Sequence, residues 1–392
     1  MNTPVRKSLG AIFFLFGFGI MAWIPRFPEV KQNLHLSNGQ FGTLISTGSI
    51  GSVFSFLLIG HYVHRFGTRI SISVSATALF VATAGIVHVS SSWQFLLCNI
   101  VLGAGVSAFH ISINGQAFAE QERNGGSIIP RFHGLWAAGA LVTAILSGFL
   151  TSRVSLRTHI DIVAGISYLL VLILLKRISS TLVPASIEPN RELSLHQLLS
   201  VSNIDWVMTL GLTCATLIEF AIGDWATIFS KEDLHMSAGV STIPYILLMV
   251  AIISGRLTVH RIVEKIDVGT LVRYSSIVGS LTFMISVTLG AYISKSSPTI
   301  GFVIFASGTL VTGLGISYLA PTYFLTANKR SSLPSAMVLG QLGLIQTILI
   351  FALKTILAWT AQLTSISVAL LLPGAMLLGV ALTAPVIRKA NI

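Results

Sequence analysis

The segment Lys31-Gln-Asn-Leu-His-Leu-Ser37 returns two hundred residues later as Lys231-Glu-Asp-Leu-His-Met-Ser237, in a chain that is otherwise almost entirely apolar. Each copy follows a long apolar segment and a tryptophan, Trp23 in the first copy and Trp225 in the second. A match over this distance suggests that a structural unit has been duplicated.

Two further matches keep the same order along the chain. The basic turns at Arg65 and Lys265 each lie 34 residues beyond the repeated lysine. Gly103-Ala-Gly-Val-Ser107 returns as Gly313-Leu-Gly-Ile-Ser317, with the offset grown to 210 residues. Three matches in one order indicate that the second half of the chain repeats the first.

The composition is that of a membrane protein. Hydrophobic residues make up 53% of the chain and charged residues only 9%, against roughly 25% charged residues in an average soluble protein. A soluble protein this apolar would expose patches that aggregate, so the bilayer is the natural solvent. Cys98 and Cys214 lie in apolar segments without Cys or His at ligand spacing, so we expect no disulfide, metal or cofactor.

Turn signals and charges divide the chain into twelve apolar runs, each long enough to cross a bilayer. The runs begin near residues 8, 38, 71, 93, 132 and 159 in the first half, and near 205, 239, 269, 299, 332 and 363 in the second. The longest polar stretch falls between the sixth and seventh runs. We therefore expect an all-α polytopic membrane protein, with a six-helix half at residues 1–176, a cytoplasmic linker at 177–203 and a second six-helix half at 204–392.

The basic residues favour one orientation. The net charge of +11 is not clustered on a polar module, which argues against nucleic-acid binding. The basic residues lie in short turns instead, 17 on the side that holds both termini, with Arg256 among them, and 6 on the other side. Because cytoplasmic turns are enriched in Lys and Arg, both termini are predicted to be cytoplasmic.

The turn from Gly60 to Arg69 lies between the second and third runs, on the predicted cytoplasmic side. It resembles the signature G-x-x-x-D-R-x-G-R of the major facilitator superfamily, in the place where that superfamily carries it. Gly67 permits a tight reversal of the chain. Two departures stand out: His64 occupies the position of the acid, and the final arginine comes one residue late, as Arg69.

More narrowly, the chain is similar to a little-characterised bacterial inner-membrane branch of that superfamily. The resemblance rests on Trp23-x-x-Arg26-x-Pro28, Arg65-Phe-Gly67-Thr-Arg69, Asn114, Pro130-x-x-His133-Gly134 and Glu219-x-x-x-x-Asp224-Trp225. It implies a monomeric, multi-pass protein of the bacterial cytoplasmic membrane, surrounded by lipid, that transports a small-molecule substrate by alternating access. Members of the branch carry acids in the fourth run, where this chain has His110 and Gln116.

Glu219 and Asp224 are the acids that fall well inside an apolar run. A carboxyl group near the bilayer centre is costly, so it usually faces a cavity or a partner. A desolvated carboxyl can take up and release a proton near neutral pH, which makes Glu219 and Asp224 candidates for proton coupling. The alternative is a permanently protonated Glu219 that hydrogen-bonds a neighbouring helix.

Two charge pairs are candidates for gating contacts. The repeat gives Arg26 and Asp224 corresponding places at the outer ends of the first and seventh runs, although each charge could equally be solvated there. Glu264 occupies, in the second half, the position of His64. When the inner side is closed, we expect it to contact Arg131 or the helix end at the start of the fifth run. Together with these, the predicted gating residues are Arg65, Gly67, Arg69 and His133.

Polar and aromatic side chains in the apolar runs are candidates for solute contact. His110 and Asn114 are four residues apart and share a helical face. A buried histidine is equally compatible with a structural role. The full set of predicted substrate-binding residues is Trp23, His110, Asn114, Gln116, Trp136, Tyr318 and Gln341. Lys354 is expected to extend its amine toward the membrane surface.

The sequence favours a secondary transporter. No G-x-x-x-x-G-K-S/T motif occurs, which argues against ATP-driven transport, and no matched nucleophile and base suggest an enzyme. Proton-coupled import is preferred because the fifth run, from His133 to Leu150, lacks the glycine-proline pattern typical of superfamily antiporters. A proton-coupled exporter and a non-transporting membrane sensor are the alternatives.

Overall fold

The computed structural model describes residues 4–125, 128–179, 182–184, 204–333 and 335–390. Within these ranges the regular structure is helical, without strands. The helices of the first half are α1 (Pro4–Ile20), α2 (Phe27–Asn33), α3 (Asn38–Ser46), α4 (Gly48–Gly85), α5 (Ser92–Asn124), α6 (Ile129–Leu150) and α7 (Leu156–Arg177). Those of the second half are α8 (Trp206–Glu232), α9 (Ile243–Val263), α10 (Val268–Ser294), α11 (Pro298–Ile316), α12 (Leu319–Arg330), α13 (Ser335–Leu363), α14 (Ile366–Ala369), α15 (Leu371–Val380) and α16 (Ala384–Ala390).

The helices supply the predicted twelve spans. In the described ranges, eleven helical stretches are long and apolar enough to cross a membrane. One of them, Asn38–Gly85, has 48 residues, which at about 1.5 Å per residue is twice the thickness of a bilayer. The helical conformation breaks inside it at Gly67, whose φ of 75° and ψ of 168° lie outside the helical region. The stretch therefore counts as two spans, in agreement with the sequence-based prediction.

The repeated segment has a repeated conformation. His35 and His235 are the residues other than glycine that adopt a positive φ in the described part of the chain, at 51° and 58°. Each histidine follows the end of a helix, α2 in the first copy and α8 in the second. Left-handed backbone is disfavoured for residues with a Cβ, so its occurrence at both copies is a specific structural match. The duplication inferred from the sequence thus extends to the backbone.

The described residues form two compact units. The first unit runs up to Leu34 and resumes at Leu44 through the first half, while the second combines His35–Thr43 with the second half. The short segment joins the second unit because its glycines let α3 lie close to α13. A Cβ placed on Gly42 would be only 2.3 Å from the Ala358 Cβ. The boundaries 1–176, 177–203 and 204–392 stay a prediction.

Where a span breaks, polar side chains donate hydrogen bonds to the backbone carbonyl groups that are left without helical partners. Between α3 and α4, the Asn99 amide donates hydrogen bonds to the carbonyl oxygens of Leu44 and Ile45, at 2.8 and 3.0 Å. Between α1 and α2, the Ser147 hydroxyl donates to the Ala22 carbonyl at 2.7 Å. Because lipid offers no hydrogen bonds, these bonds allow the helices to break inside the membrane.

Candidate functional site

Two histidines and an asparagine come together in the first unit. The Asn114 amide nitrogen donates to the His110 carbonyl at 2.8 Å, and its amide oxygen lies 3.2 Å from His133 Nε2. The two imidazole rings stand 5.8 Å apart in an edge-to-face arrangement, and Phe16 lies 6.0 Å from His110. The fourth and fifth spans thus bring together three of the residues singled out in the sequence.

Trp136 extends this cluster. Its ring lies 6.4 Å from that of Phe16. Its indole Nε1 is buried, and no hydrogen-bond acceptor reaches it from the described residues. A buried N–H without an acceptor costs free energy, and the described residues supply no acceptor to this donor. We call the surface formed by Phe16, His110, Asn114, His133 and Trp136 the imidazole–indole cluster.

His110 has an exposed side chain on the membrane-spanning helix α5. It lies nine residues from Val101, about half a turn around the helix, and Val101 is also exposed. The imidazole is therefore on a different face of α5 from Val101, beside the rings of Phe16 and His133.

Gln116 and Trp23, which were predicted to contact solute, are both buried in the first unit, and their contact with solute stays a prediction. The Gln116 side chain is fully buried, and its oxygen accepts from the Thr68 hydroxyl at 2.7 Å and from the Val183 amide at 3.0 Å. It therefore joins the turn at Gly67 to the start of the linker. Trp23 is buried against Phe27, with 4.7 Å between the ring centroids.

Arg26 is buried within the first unit. Its guanidinium donates two hydrogen bonds to the Glu29 carboxylate, at 2.7 and 2.6 Å, and a third to the Val154 carbonyl at 2.9 Å. A fourth contact, of 3.3 Å, joins it to His159 Nδ1. Sequence reasoning missed Glu29, although its spacing of three residues from Arg26 on a short helix was a usable signal. The predicted contact of Arg26 with Asp224 stays a prediction.

Asp224 has a partner in the second unit. The Lys354 Nζ on α13 lies 2.7 Å from the Asp224 carboxylate on α8, and both side chains are largely buried. This corrects the expectation that Lys354 extends to the membrane surface. The amine instead stays inside the membrane domain because a buried carboxylate there neutralises its charge.

Glu219 lies midway along α8, half-buried, and forms no hydrogen bond or salt bridge in the described part of the chain. It lies nine residues from the exposed Leu210, so it faces away from the lipid side of its helix. The charge of Arg256 acts on it. Arg256 was predicted to be cytoplasmic, but it lies seven residues inside the end of α9.

Tyr318 and Gln341 lie in the same unit. The Tyr318 hydroxyl forms a 2.5 Å hydrogen bond with the Ser275 hydroxyl, and the Gln341 side chain is buried. Gln346 on the same helix as Gln341 donates to the Thr216 hydroxyl at 2.7 Å. Tyr318 and Gln341 are thus held by packing, and their contact with solute stays a prediction.

Comparison with known proteins decides the family. The family model described as Major Facilitator Superfamily matches residues 9–352. The chain belongs to the major facilitator superfamily. Among its relatives, an uncharacterized MFS-type transporter of Yersinia pestis is 26% identical over 98% of this chain and 96% of its own length. The membrane protein MosC of Rhizobium meliloti is 22% identical over 84% of this chain and 78% of its own. The multidrug resistance protein MdtG of Klebsiella pneumoniae is 26% identical over 65% and 64%.

Solved structures of the superfamily share the fold. The nucleoside transporter NupG superposes with a TM-score of 0.74 at 15% identity, covering 99% of this chain and 100% of that one. A D-xylose-proton symporter gives a TM-score of 0.69 at 16% identity, covering 97% and 96%. At these identities the likeness establishes the fold alone. The family match, together with the long apolar helices of the described ranges, makes this chain a multi-pass membrane protein of the major facilitator superfamily.

The superfamily turn contains three of the predicted gating residues, Arg65, Gly67 and Arg69. Gly67 adopts the left-handed φ expected of it, and the exposed Arg65 guanidinium lies 5.6 Å from the centre of the Phe66 ring. Arg69, Arg131 and Glu264 are exposed. The gating roles of all these residues, and the contact of Glu264 with Arg131, stay predictions. In the described ranges no group of three His, Cys, Asp or Glu side chains could hold a metal ion.

Proposed function

We propose that this superfamily member is a secondary active transporter that imports a small polar solute together with a proton, by alternating access. The observation that carries this proposal is Glu219. A carboxyl group at the middle of a membrane-spanning helix is expensive to retain, and Glu219 faces away from lipid without a hydrogen-bonded partner among the described residues. Such a group can bind and release a proton during each transport cycle.

Glu219 is favoured over Asp224 as the proton carrier. The Asp224 carboxylate is held in an ion pair with Lys354 at 2.7 Å, and a proton would have to break that pair. Glu219 has no such ion pair among the described residues. Its protonation therefore breaks no direct contact with a buried cation. Asp224 is accordingly assigned to the support of α8 and α13.

The imidazole–indole cluster is the proposed surface for the solute. It presents imidazole, amide and indole groups at one place, with the unpartnered Trp136 Nε1 as a donor. Aromatic rings beside polar groups suit a ring-bearing or hydroxylated solute. The protein is proposed to work as a monomer in the bacterial cytoplasmic membrane, with both termini in the cytoplasm.

Export is the second candidate, because one relative is named a multidrug resistance protein. The direction of solute transport and its coupling to protons are tested together in proteoliposomes that contain a pH-sensitive dye. Solutes identified by thermal-shift screening of the purified protein are added outside, and proton movement is followed with uptake. We expect solute uptake to carry protons inward and a protonophore to abolish accumulation. Accumulation that withstands the protonophore would remove the proton from the proposal, and accumulation driven by protons moving outward would establish antiport.

A further inference from the structure

Among its described residues, the second unit has four formal charges deep inside its spans, two acidic and two basic. Glu219 and Asp224 lie on α8, Arg256 on α9 and Lys354 on α13, each at least seven residues from either end of its helix. With all four groups ionised, the set is neutral. Any change in the ionisation of one member leaves an uncompensated charge, which is unfavourable in surroundings of low polarity.

Asp224 and Lys354 compensate one another. Their 2.7 Å contact and their burial tie each charge to the other. The remaining two charges, Glu219 and Arg256, form no salt bridge with one another in the described part of the chain. Tyr245 lies near these charges, since its ring is 3.9 Å from a Cβ placed on Gly223 of α8. Protonation of Glu219 therefore leaves the charge of Arg256 uncompensated.

Arg256 is placed to meet a solute. It follows Tyr245 by eleven residues, which puts the two within about 20° on α9, and Tyr245 is buried. Arg256 thus lies on the same face of α9 as Tyr245, and its side chain is exposed. Its Nε donates to the Ser317 carbonyl at 2.9 Å, where the span breaks between α11 and α12. This bond holds the guanidinium of Arg256 in place. In the described ranges the two terminal nitrogens of the guanidinium donate no hydrogen bond.

We propose that the solute is an organic anion and that its carboxylate binds the terminal nitrogens of Arg256 when Glu219 is protonated. A guanidinium fork matches a carboxylate in geometry and charge, whereas a cationic solute would be repelled by it. The proton on Glu219 and the anion on Arg256 together restore the neutrality of the four-charge set. The inference rests on the proposed function and assigns it a substrate class: one proton and one monoanion move together without net charge.

The test measures binding to the purified full-length protein, so it does not depend on transport. Sodium acetate is the probe, its neutral isostere acetamide the control, and sodium chloride keeps the ionic strength constant. Glu219→Gln mimics the protonated state. We expect acetate, but not acetamide, to raise the unfolding temperature of E219Q, and to stabilise the wild type more in mildly acidic than in alkaline buffer.

The arginine is then removed in the same background. R256Q added to E219Q should weaken the apparent affinity for acetate about tenfold, equivalent to about 1.4 kcal/mol. R273Q is the matched control, because Arg273 is an exposed arginine in the second turn of α10, and it should leave the affinity unchanged. R256K keeps the positive charge but lacks the two-pronged guanidinium, so it should give an intermediate affinity for acetate. This variant also tests the site if R256Q does not fold.

Equal stabilisation by acetamide, or unchanged acetate affinity in both R256Q and R256K, would overturn the anion site. That result leaves proton-coupled transport untouched, since the proteoliposome experiment tests it separately. Proton-coupled uptake of a neutral solute that survives R256Q would likewise overturn the anion site alone. Acetate binding that depends on Arg256, in a protein that moves no protons, would support the site and refute the proposed coupling.

Discussion

Lys354 Nζ lies 2.7 Å from the Asp224 carboxylate and so connects the middle of α13 to α8. The two side chains are 13% and 11% exposed, which leaves water little access to either charge. Removing a buried ion pair as a whole often costs little, while removing one partner leaves the other charge buried and unpaired. The pair therefore makes the packing of these helices depend on both residues together.

Lys354→Met should lower the free energy of unfolding by about 3–5 kcal/mol, because it strands the Asp224 carboxylate. Combining it with Asp224→Asn should recover part of that loss. Denaturant unfolding of the purified protein in detergent measures both effects, and Lys295→Met, at the exposed end of α10, provides the control. Strictly additive effects of the two single substitutions would show that the pair is not energetically coupled.

Glu219→Gln should abolish uphill accumulation of solute and spare downhill exchange. Exchange needs no net release of a proton, whereas accumulation driven by a pH gradient does. Both are measured in proteoliposomes with the solute identified by screening, and Glu122→Gln, at the exposed end of α5, is the matched acid control. Intact, pH-dependent accumulation in E219Q would exclude Glu219 as the carrier and leave Asp224 as the candidate.

Trp136→Phe keeps an aromatic ring and removes the unpartnered Nε1 donor. If the donor binds solute, affinity should fall by about threefold to tenfold, the range of one neutral hydrogen bond. His110→Ala should weaken affinity as well, without changing the number of protons moved. Trp93→Phe, on the exposed start of α5, should leave affinity unchanged. Unaltered binding in both W136F and H110A would take the cluster out of solute recognition.

Arg26 should be coupled more strongly to Glu29 than to any other acid. Arg26→Ala leaves the carboxylate without its two hydrogen bonds, and we expect a loss of about 3–5 kcal/mol in the free energy of unfolding. A double-mutant cycle with Glu29→Gln quantifies this pair. A second cycle, on transport, with Asp224→Ala tests the predicted outer gate, and the absence of coupling there would count against it.

Asp267 should give the protein a pH-dependent increment of stability. Hydrogen bonds from Thr270, together with the nearby Arg388, hold the pKa of this helix-capping carboxylate below its ordinary value. The increment is therefore present at neutral pH and disappears as the pH falls through the lowered pKa. Unfolding temperatures of wild type and Asp267→Asn should differ at neutral pH and converge in acid, because Asn still caps the helix but has no charge. A difference that persists in acid would contradict the assignment.

The sequence predicted features that depend on local pattern. Twelve apolar runs, the reversal at Gly67 and the shared face of His110 and Asn114 all follow from composition and helical periodicity, and the structure agrees with each. The repeat was detectable because identical residues were retained at a position with an unusual backbone conformation, at His35 and His235. Short-range rules are sufficient for such features.

Partners from distant parts of the chain could not be predicted in this way. The hydropathy pattern predicted Lys354 at the membrane surface and Arg256 in the cytoplasm. Such a pattern carries no information about a carboxylate on another helix that could pair with either residue. The bond of Gln116 to Val183 could not be predicted either, because Val183 lies 67 residues further along the chain. The repeat suggested Asp224 as the partner of Arg26. The carboxylate that contacts Arg26 in the structure is that of Glu29, three residues along the chain.

The distance in sequence between Asp224 and Lys354 also bears on how the protein is made. About 130 residues separate them, so at roughly 5–20 residues per second a ribosome needs roughly 6 to 26 s to synthesise the lysine after the aspartate. During that interval α8 enters the membrane with two acids and without its lysine. An ionised acid at the centre of an inserting helix costs roughly 2.5–3.5 kcal/mol, and protonation avoids this cost. The ion pair between α8 and α13 therefore forms only after α13 has been synthesised, and until then protonation of the two acids lowers the cost of inserting α8.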